Sequence, residues 1–202
     1  MPVRPEREYR DFRSAEFEPL EDSGFLVRGY ATTFDDPYVI WKDEYDDIEY
    51  REIIAKGALD GADMSDVIFL YNHTGMVYAR NKKTGTLTLK IDDKGLYQEA
   101  DLRLLKDFGG GELFEAIRTE LIDKMSWAFT VRRDHYESTA NTRTRIIDEI
   151  TKVYDVSAVS IPADPNTDIA ARTWINGVID REKAERLERE RKRLALRIKA
   201  NQ

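Results

Sequence analysis

The chain has 202 residues, 41% of them hydrophobic and 35% charged, with a net charge of -7 and no cysteine. This is enough apolar material for one real core, as one domain with an appendage or at most two small domains. Disulfides, a thiol nucleophile and Cys-ligated zinc are excluded, and the acidic balance argues against a general nucleic-acid binder, because phosphate backbones demand clustered Lys and Arg. The charge is uneven: between Asp180 and Lys199 nine basic residues face five acidic ones, so an acidic body carries a basic tail. No apolar run approaches the roughly 20 residues that cross a bilayer. The opening MPVRPEREYR lacks the apolar core of a signal peptide, so a soluble cytoplasmic protein is expected.

In chain order, short alternating runs separated by turn residues dominate from about residue 9 to residue 162. YRDFRSAEFEP and GFLVRGYATTF are divided by EDSG and followed by the acidic, aromatic DDPYVIWKDEYDDIEY, which reads as a solvated, mobile loop. EIIAKGALDGA suggests a short helical turn, and SDVIFLYNH an apolar strand. GTLTLKI and GLYQEADLRL flank DDKG, a hairpin in which Gly95 is expected to supply a positive φ. FGGGELF is glycine-rich but lacks the Lys and Ser/Thr of a P-loop, so it reads as a flexible hinge or lid. GELFEAIRTELIDKM places Leu113, Phe114, Ile117, Leu121 and Ile122 on one stripe of an amphipathic helix. MSWAFTVRRDHYE, TRTRIIDEI and KVYDVSAVSIP complete the strands, the last stopped by Pro162. From about Asn176 a run of helix formers with (i, i+4) charge pairs predicts a C-terminal helix. The fold expected is mainly β with helices (α+β), a small closed barrel or a strongly twisted sheet, with residues 1–170 as the body and 171–202 as the tail.

Few residues are fit for chemistry. In DKMSWAFTV (Asp123 to Val131), strand alternation puts Trp127, Phe129 and Val131 on one face and Ser126, Ala128 and Thr130 on the other. Ser126 is therefore either a nucleophile or an ordinary small polar residue of a sheet. Of the two histidines, His73 ends an apolar strand where it opens into a loop, whereas His135 lies among charges and reads as surface. Asp155 interrupts an apolar run, where a carboxylate is costly without a partner. It is either an edge-strand aspartate facing water or the acid that orients an imidazole, with Asp148 and Glu149 as more exposed rivals. The acidic aromatic stretch lacks the spacing of an EF-hand loop.

Taken together, RGYATTFD (Arg28 to Asp35), REIIAKGAL (Arg51 to Leu59), LYNHTG (Leu70 to Gly75), KGLYQEADL (Lys94 to Leu102), KMSWAFTV (Lys124 to Val131) and YDVSAVSIPADPNTDI (Tyr154 to Ile169) form an ordered set. The set resembles the prohead proteases of tailed bacteriophages of the HK97 type, which are similar in fold to herpesvirus assemblins. That resemblance implies a barrel of the herpesvirus-protease type and a serine endopeptidase with Ser126, His73 and Asp155 as its catalytic residues. The third position, commonly Glu in the family, is one methylene shorter here; Lys56 and Leu59 stand where the family often has Pro and Phe. Herpesvirus relatives place an Arg-containing loop near the oxyanion, and none follows in PADPNT; this leaves the oxyanion donors open, with backbone amides around Ala163 and Asp164 as one candidate.

The resemblance further implies that the substrates are the scaffolding portion of the major capsid protein and the protease itself, cleaved inside the assembling prohead in the host cytoplasm. Neither a cofactor, a metal, a nucleic acid nor a membrane is called for. The basic tail is a candidate anchor to capsid or scaffold and a candidate self-cleavage region. The alternative is the same fold kept as an inactive assembly or scaffolding factor, with Ser126 and His73 present but not aligned.

Overall fold

The alternating runs become strands of two sheets in the computed structural model, which describes residues 7–12, 18–19, 24–43, 45–82, 85–160 and 169–200. The elements are β1 (Glu8–Phe12), β2 (Glu18–Pro19), β3 (Leu26–Thr33), β4 (Tyr38–Asp43), β5 (Ile48–Ile54), β6 (Ile68–Tyr71), β7 (Thr74–Arg80), β8 (Leu87–Ile91), β9 (Gly95–Asp101), α1 (Gly111–Arg118), β10 (Lys124–Ser138), β11 (Thr142–Val159) and α2 (Ile169–Ala200). A seven-stranded sheet runs β1-β10-β11-β5-β4, with β6 also on β11 and β7 on β6; a four-stranded sheet runs β2-β3-β9-β8.

Both sheets are open, which overturns the expectation of a closed barrel of the herpesvirus-protease type. Closure needs the first and last strands to share a hydrogen-bond ladder. Here β1 and β4, the ends of the main path, each have one neighbour among the described residues. Side chains span the gap instead: Arg10 on β1 reaches Glu52 on β5, and Tyr38 on β4 donates its hydroxyl to the same carboxylate. Alternation specifies which face of a strand is buried but not which strand lies beside it. The single run read over YRDFRSAEFEP accordingly divides, with β1 in one sheet and β2 in the other.

The core lies where the sheets and α1 meet, around Val27, Ile54, Phe69, Leu96, Leu102, Trp127, Phe129, Ile147 and Val156. From Met125 to Thr130 every residue of β10 is buried, so this half is covered on both faces, whereas Arg132 onward emerges toward solvent. Trp127 and Phe129 stack at 4.1 Å between ring centroids, fixing the strand through their shared face.

Several local expectations change. The acidic stretch is the β4–β5 hairpin and not a mobile loop: Tyr50, Glu52 and Ile54 alternate inward. Successive turns, closed by Ala58 N–H to Ala55 O and Asp60 N–H to Gly57 O, replace the short helix after β5. The amphipathic helix stops at Arg118; Leu113, Phe114, Ile117 and Ile122 are buried, but Leu121 is exposed. In the FGGG run the chain kinks at Phe108 and Gly109, with Phe108 exposed, and only the last two glycines are closely packed. A Cβ on Gly110 or Gly111 would lie 2.7 Å or 2.6 Å from the Leu105 and Lys106 carbonyl oxygens.

Gly95 is not in the left-handed region either. The β8–β9 turn is held by Asp92, whose Oδ1 accepts the N–H groups of Lys94 and Gly95, and glycine is needed because β3 passes too close for a side chain. The Asp92 carboxyl, which burial alone would push up, is held below the usual range by the Tyr30 hydroxyl and these two amides.

Residues 1–164 and 165–202 are distinct units. In the second, α2 is laced by Arg189–Glu185 and Lys192–Glu188 pairs, and its described side chains are mostly exposed. Among the described residues no helix is long and apolar enough to cross a membrane.

Because a Cβ at position 95 would fall 2.0 Å from the Thr32 carbonyl oxygen, Gly95→Ala must displace backbone. A loss of about 3 kcal/mol in denaturant unfolding is expected, toward the upper end for overpacking.

Candidate active site

The sequence of β11 sets the floor of the site. Asp155 and Ser157 are two residues apart and so share a face, and the antiparallel register puts Ser126 opposite Ser157 and Ala128 opposite Asp155. On the other edge of β11, β6 runs parallel, with Ile68 beside Asp155 and Leu70 beside Ser157. The chain leaves β6 through the two-residue turn Asn72–His73 and returns as β7, with Tyr71 opposite Thr74.

Both turn residues are left-handed, at φ of 52° and 55°. Positive φ at both positions is the type I′ form of the two-residue hairpin, and Asn and His are among the non-glycine residues that tolerate it. The turn is tied down at its first residue. Asn72 N–H donates to the Ala158 carbonyl at 2.9 Å, and Asn72 Oδ1 accepts Ser160 N–H at 3.0 Å. His73 is thereby carried back over β11.

The result is a continuous series. His73 Nε2 lies 2.6 Å from Ser126 Oγ, and His73 Nδ1 lies 2.5 Å from Asp155 Oδ1. Ser157 Oγ donates to the same Asp155 oxygen at 2.7 Å and stands 3.2 Å from His73 Nδ1. Asp155 is buried with these two partners, so its cost in an apolar strand is met by charge-assisted hydrogen bonds. The three residues singled out in the sequence therefore converge. His135 does not join them: it is half exposed and paired with Asp148 at 2.8 Å, while Glu149 pairs with Arg133. Ala163 and Asp164 lie outside the described residues.

Two features escaped sequence reading. Ser157 had a signal available, since its spacing from Asp155 already places it beside the acid. The second, the cover formed by β1, had none. This strand pairs antiparallel with β10, Asp11 opposite Ser126 and Tyr9 opposite Ala128. The Arg10 carbonyl oxygen stands 3.1 Å from Ser126 Oγ, and the Tyr9 ring stands edge-on to His73 at 4.7 Å.

Ion pairs hold β1 there. Arg10 grips Glu52 with two bonds, Nε to Oε1 at 2.6 Å and Nη2 to Oε2 at 2.9 Å, and also reaches Glu8. Arg145 bridges Glu8, Glu52 and Asp134. Burial alone would push the Glu52 carboxyl up, but Arg10 and then Arg145, with the Tyr38 hydroxyl, bring it below the ordinary range. The Tyr38 hydroxyl is raised well above its usual value, first by burial and then by the Glu52 charge. Among the described residues no three acidic or histidine side chains gather as a metal site.

A hydroxyl, an imidazole and a carboxylate in hydrogen-bonded series have the layout of a serine hydrolase site. The model of one family, the caudovirus prohead serine proteases, matches residues 11–178, and the chain belongs to that family. Neither the curated proteins nor the solved structures give a match to it.

The buried network makes stability depend on acid. The Glu52 carboxyl is lowered in the fold, so its contribution is complete above the ordinary glutamate range and is lost as pH falls through that range toward the lowered value. Glu52→Gln is expected to cost on the order of 3 kcal/mol near neutrality, as when one member of a buried pair is removed. It should also flatten the stability-against-pH curve in that acid window, as read by denaturant unfolding across pH.

Proposed function

We propose that this protein is the serine endopeptidase that trims the scaffolding portion of a phage major capsid protein, and cuts itself, inside the assembling prohead in the host cytoplasm. The observation that carries the reading is the contact series from Ser126 through His73 to Asp155, at 2.6 Å and 2.5 Å. With Nδ1–H donated to Asp155, the His73 Nε2 lone pair faces the Ser126 hydroxyl. Ser126 Oγ attacks the peptide carbonyl carbon while Nε2 takes its proton; the C–N bond then breaks and the imidazolium protonates the leaving amine. Water, deprotonated by the same nitrogen, hydrolyses the acyl-enzyme and regenerates the serine. Asp155 fixes the tautomer and stabilises the imidazolium, and Ser157 positions Asp155.

The shorter acid suits this geometry. Asp155 sits on the strand directly beside the nucleophile strand, close enough that the extra methylene of Glu is not needed. The reading as an inactive assembly factor requires Ser126 and His73 to be out of alignment, and their 2.6 Å contact counts against it.

Coexpression with the capsid protein, followed by N-terminal sequencing of the products, tests the function. Ser126→Ala and His73→Ala are each expected to leave the capsid protein at full length, and Asp155→Asn to lower kcat about 10,000-fold through the wrong tautomer. Trimming by Ser126→Ala equal to wild type would defeat the assignment. Ser157→Ala is expected to lower kcat about 10-fold with KM unchanged, the order of one hydrogen bond to a charged group, and Ser157→Thr should recover most of it.

A further inference from the structure

Ser126 has no solvent-accessible surface. A peptide carbonyl can meet its Oγ only after something moves, and β1 lies across it. Among the described residues its backbone ladder is with β10 alone, and it ends the sheet. Were β1 to lift away, β10 would present an open edge running past the nucleophile, the kind of edge to which an extended peptide adds as a further strand. The position β1 holds is therefore the position available to a substrate.

Details of β1 agree with that. The carbonyl beside the Ser126 hydroxyl belongs to Arg10. A nucleophile must approach the peptide plane from one face, so the side chain of the residue that owns the carbonyl has to point away from it. Arg10 does so: its guanidinium lies on the Trp127–Phe129 side, 5.8 Å from the Phe129 ring, and is received by both oxygens of Glu52. That receptor is built into β5 and β4, and Glu52 is fully buried with Tyr38 and Arg145 also on it.

We infer that β1 is an internal stand-in for the substrate, covering Ser126 until it is displaced, and that the peptides cut by this site carry Arg or Lys immediately before the scissile bond, received by Glu52. The inference rests on the protease reading above. It assigns Glu52 as the residue that sets specificity and makes the resting chain latent. A planar guanidinium that bonds both carboxylate oxygens fits better than an ammonium, so Arg is preferred to Lys.

The test uses the full chain in two arms. In the first, wild type and Arg10→Ala, which unpins β1, are profiled on a fluorogenic peptide library varied at the residue before the cleaved bond. Basic residues should lead by about 30-fold in kcat/KM over Ala, Leu or Glu, the order expected for one partner of a buried charge pair, and Arg10→Ala should turn over faster than wild type. A profile led by acidic or apolar residues would overturn the assignment of Glu52. In the second arm, Phe12→Cys with Met125→Cys, directly opposite in the ladder, locks β1 to β10 in a protein that has no other cysteine. Activity should vanish on oxidation and return on reduction; equal activity in both states would overturn the covering role. No cleavage by any form, with Ser126 unlabelled by a fluorophosphonate even in Arg10→Ala, would remove the protease reading and this inference with it.

Discussion

One strand takes two partners in succession along the same edge, and the site depends on it. β11 pairs in parallel with β5 over Thr142–Ile147 and with β6 over Asp155–Ala158, while β10 runs along its other edge. Because β5 ends and β6 takes its place, the turn after β6 falls beside the half of β11 that bears Asp155 and Ser157. Because β10 is antiparallel, Ser126 arrives opposite Ser157. A slip of one residue in the β10–β11 register would send Ser126 to the Trp127 face and separate it from His73. The stacked Trp127 and Phe129 rings, buried on the opposite face, make that slip expensive, so core packing and alignment of the site are one constraint seen from two sides.

The imidazole is held by backbone as much as by its own bonds. A histidine at φ of 55° sits in a sparsely populated region and stays there only if its surroundings insist on it. Asn72 supplies the insistence, through its N–H to Ala158 and its side chain to Ser160, both at the end of the strand that carries the acid. Acid and base are thus referenced to the same strand, and a small movement of β11 carries both together. This preserves the contact that holds the imidazole in its tautomer and orientation.

How much of this was legible in the sequence follows from the range of each interaction. Ser126, His73 and Asp155 were readable as anomalies: a small polar residue in an aromatic strand, a histidine at a strand end, and a carboxylate in an apolar run. Each is a local departure that burial makes costly. Strand alternation likewise indicated that Ser126 and Trp127 face apart. Closure of the sheet was not readable, because β1 and β4 differ from barrel strands only in which neighbour they lack, and that is a property of pairing. Gly95 misled for a related reason: a glycine in a turn serves either a positive φ or a close approach, and only the position of β3, more than sixty residues earlier, decides between them. The Glu8–Arg10–Glu52–Arg145 network was invisible for the same cause, since its members are scattered from the first strand to the last.

That network also explains how a covering strand can be both firm and removable. An apolar strap would gain in proportion to buried area and would leave only by exposing that area to water. Buried ion pairs behave otherwise: desolvation cancels much of their attraction, so a complete set gives position with little net stabilisation, while one missing partner is heavily penalised. Removing Arg10 from Glu52 is therefore unfavourable unless another cation enters in its place, since each carboxylate oxygen then keeps only the donor that Tyr38 or Arg145 gives it. A chain that brings its own guanidinium to Glu52 replaces what it displaces, and a chain without one does not. The interaction that keeps the site closed is thus the one able to choose what opens it.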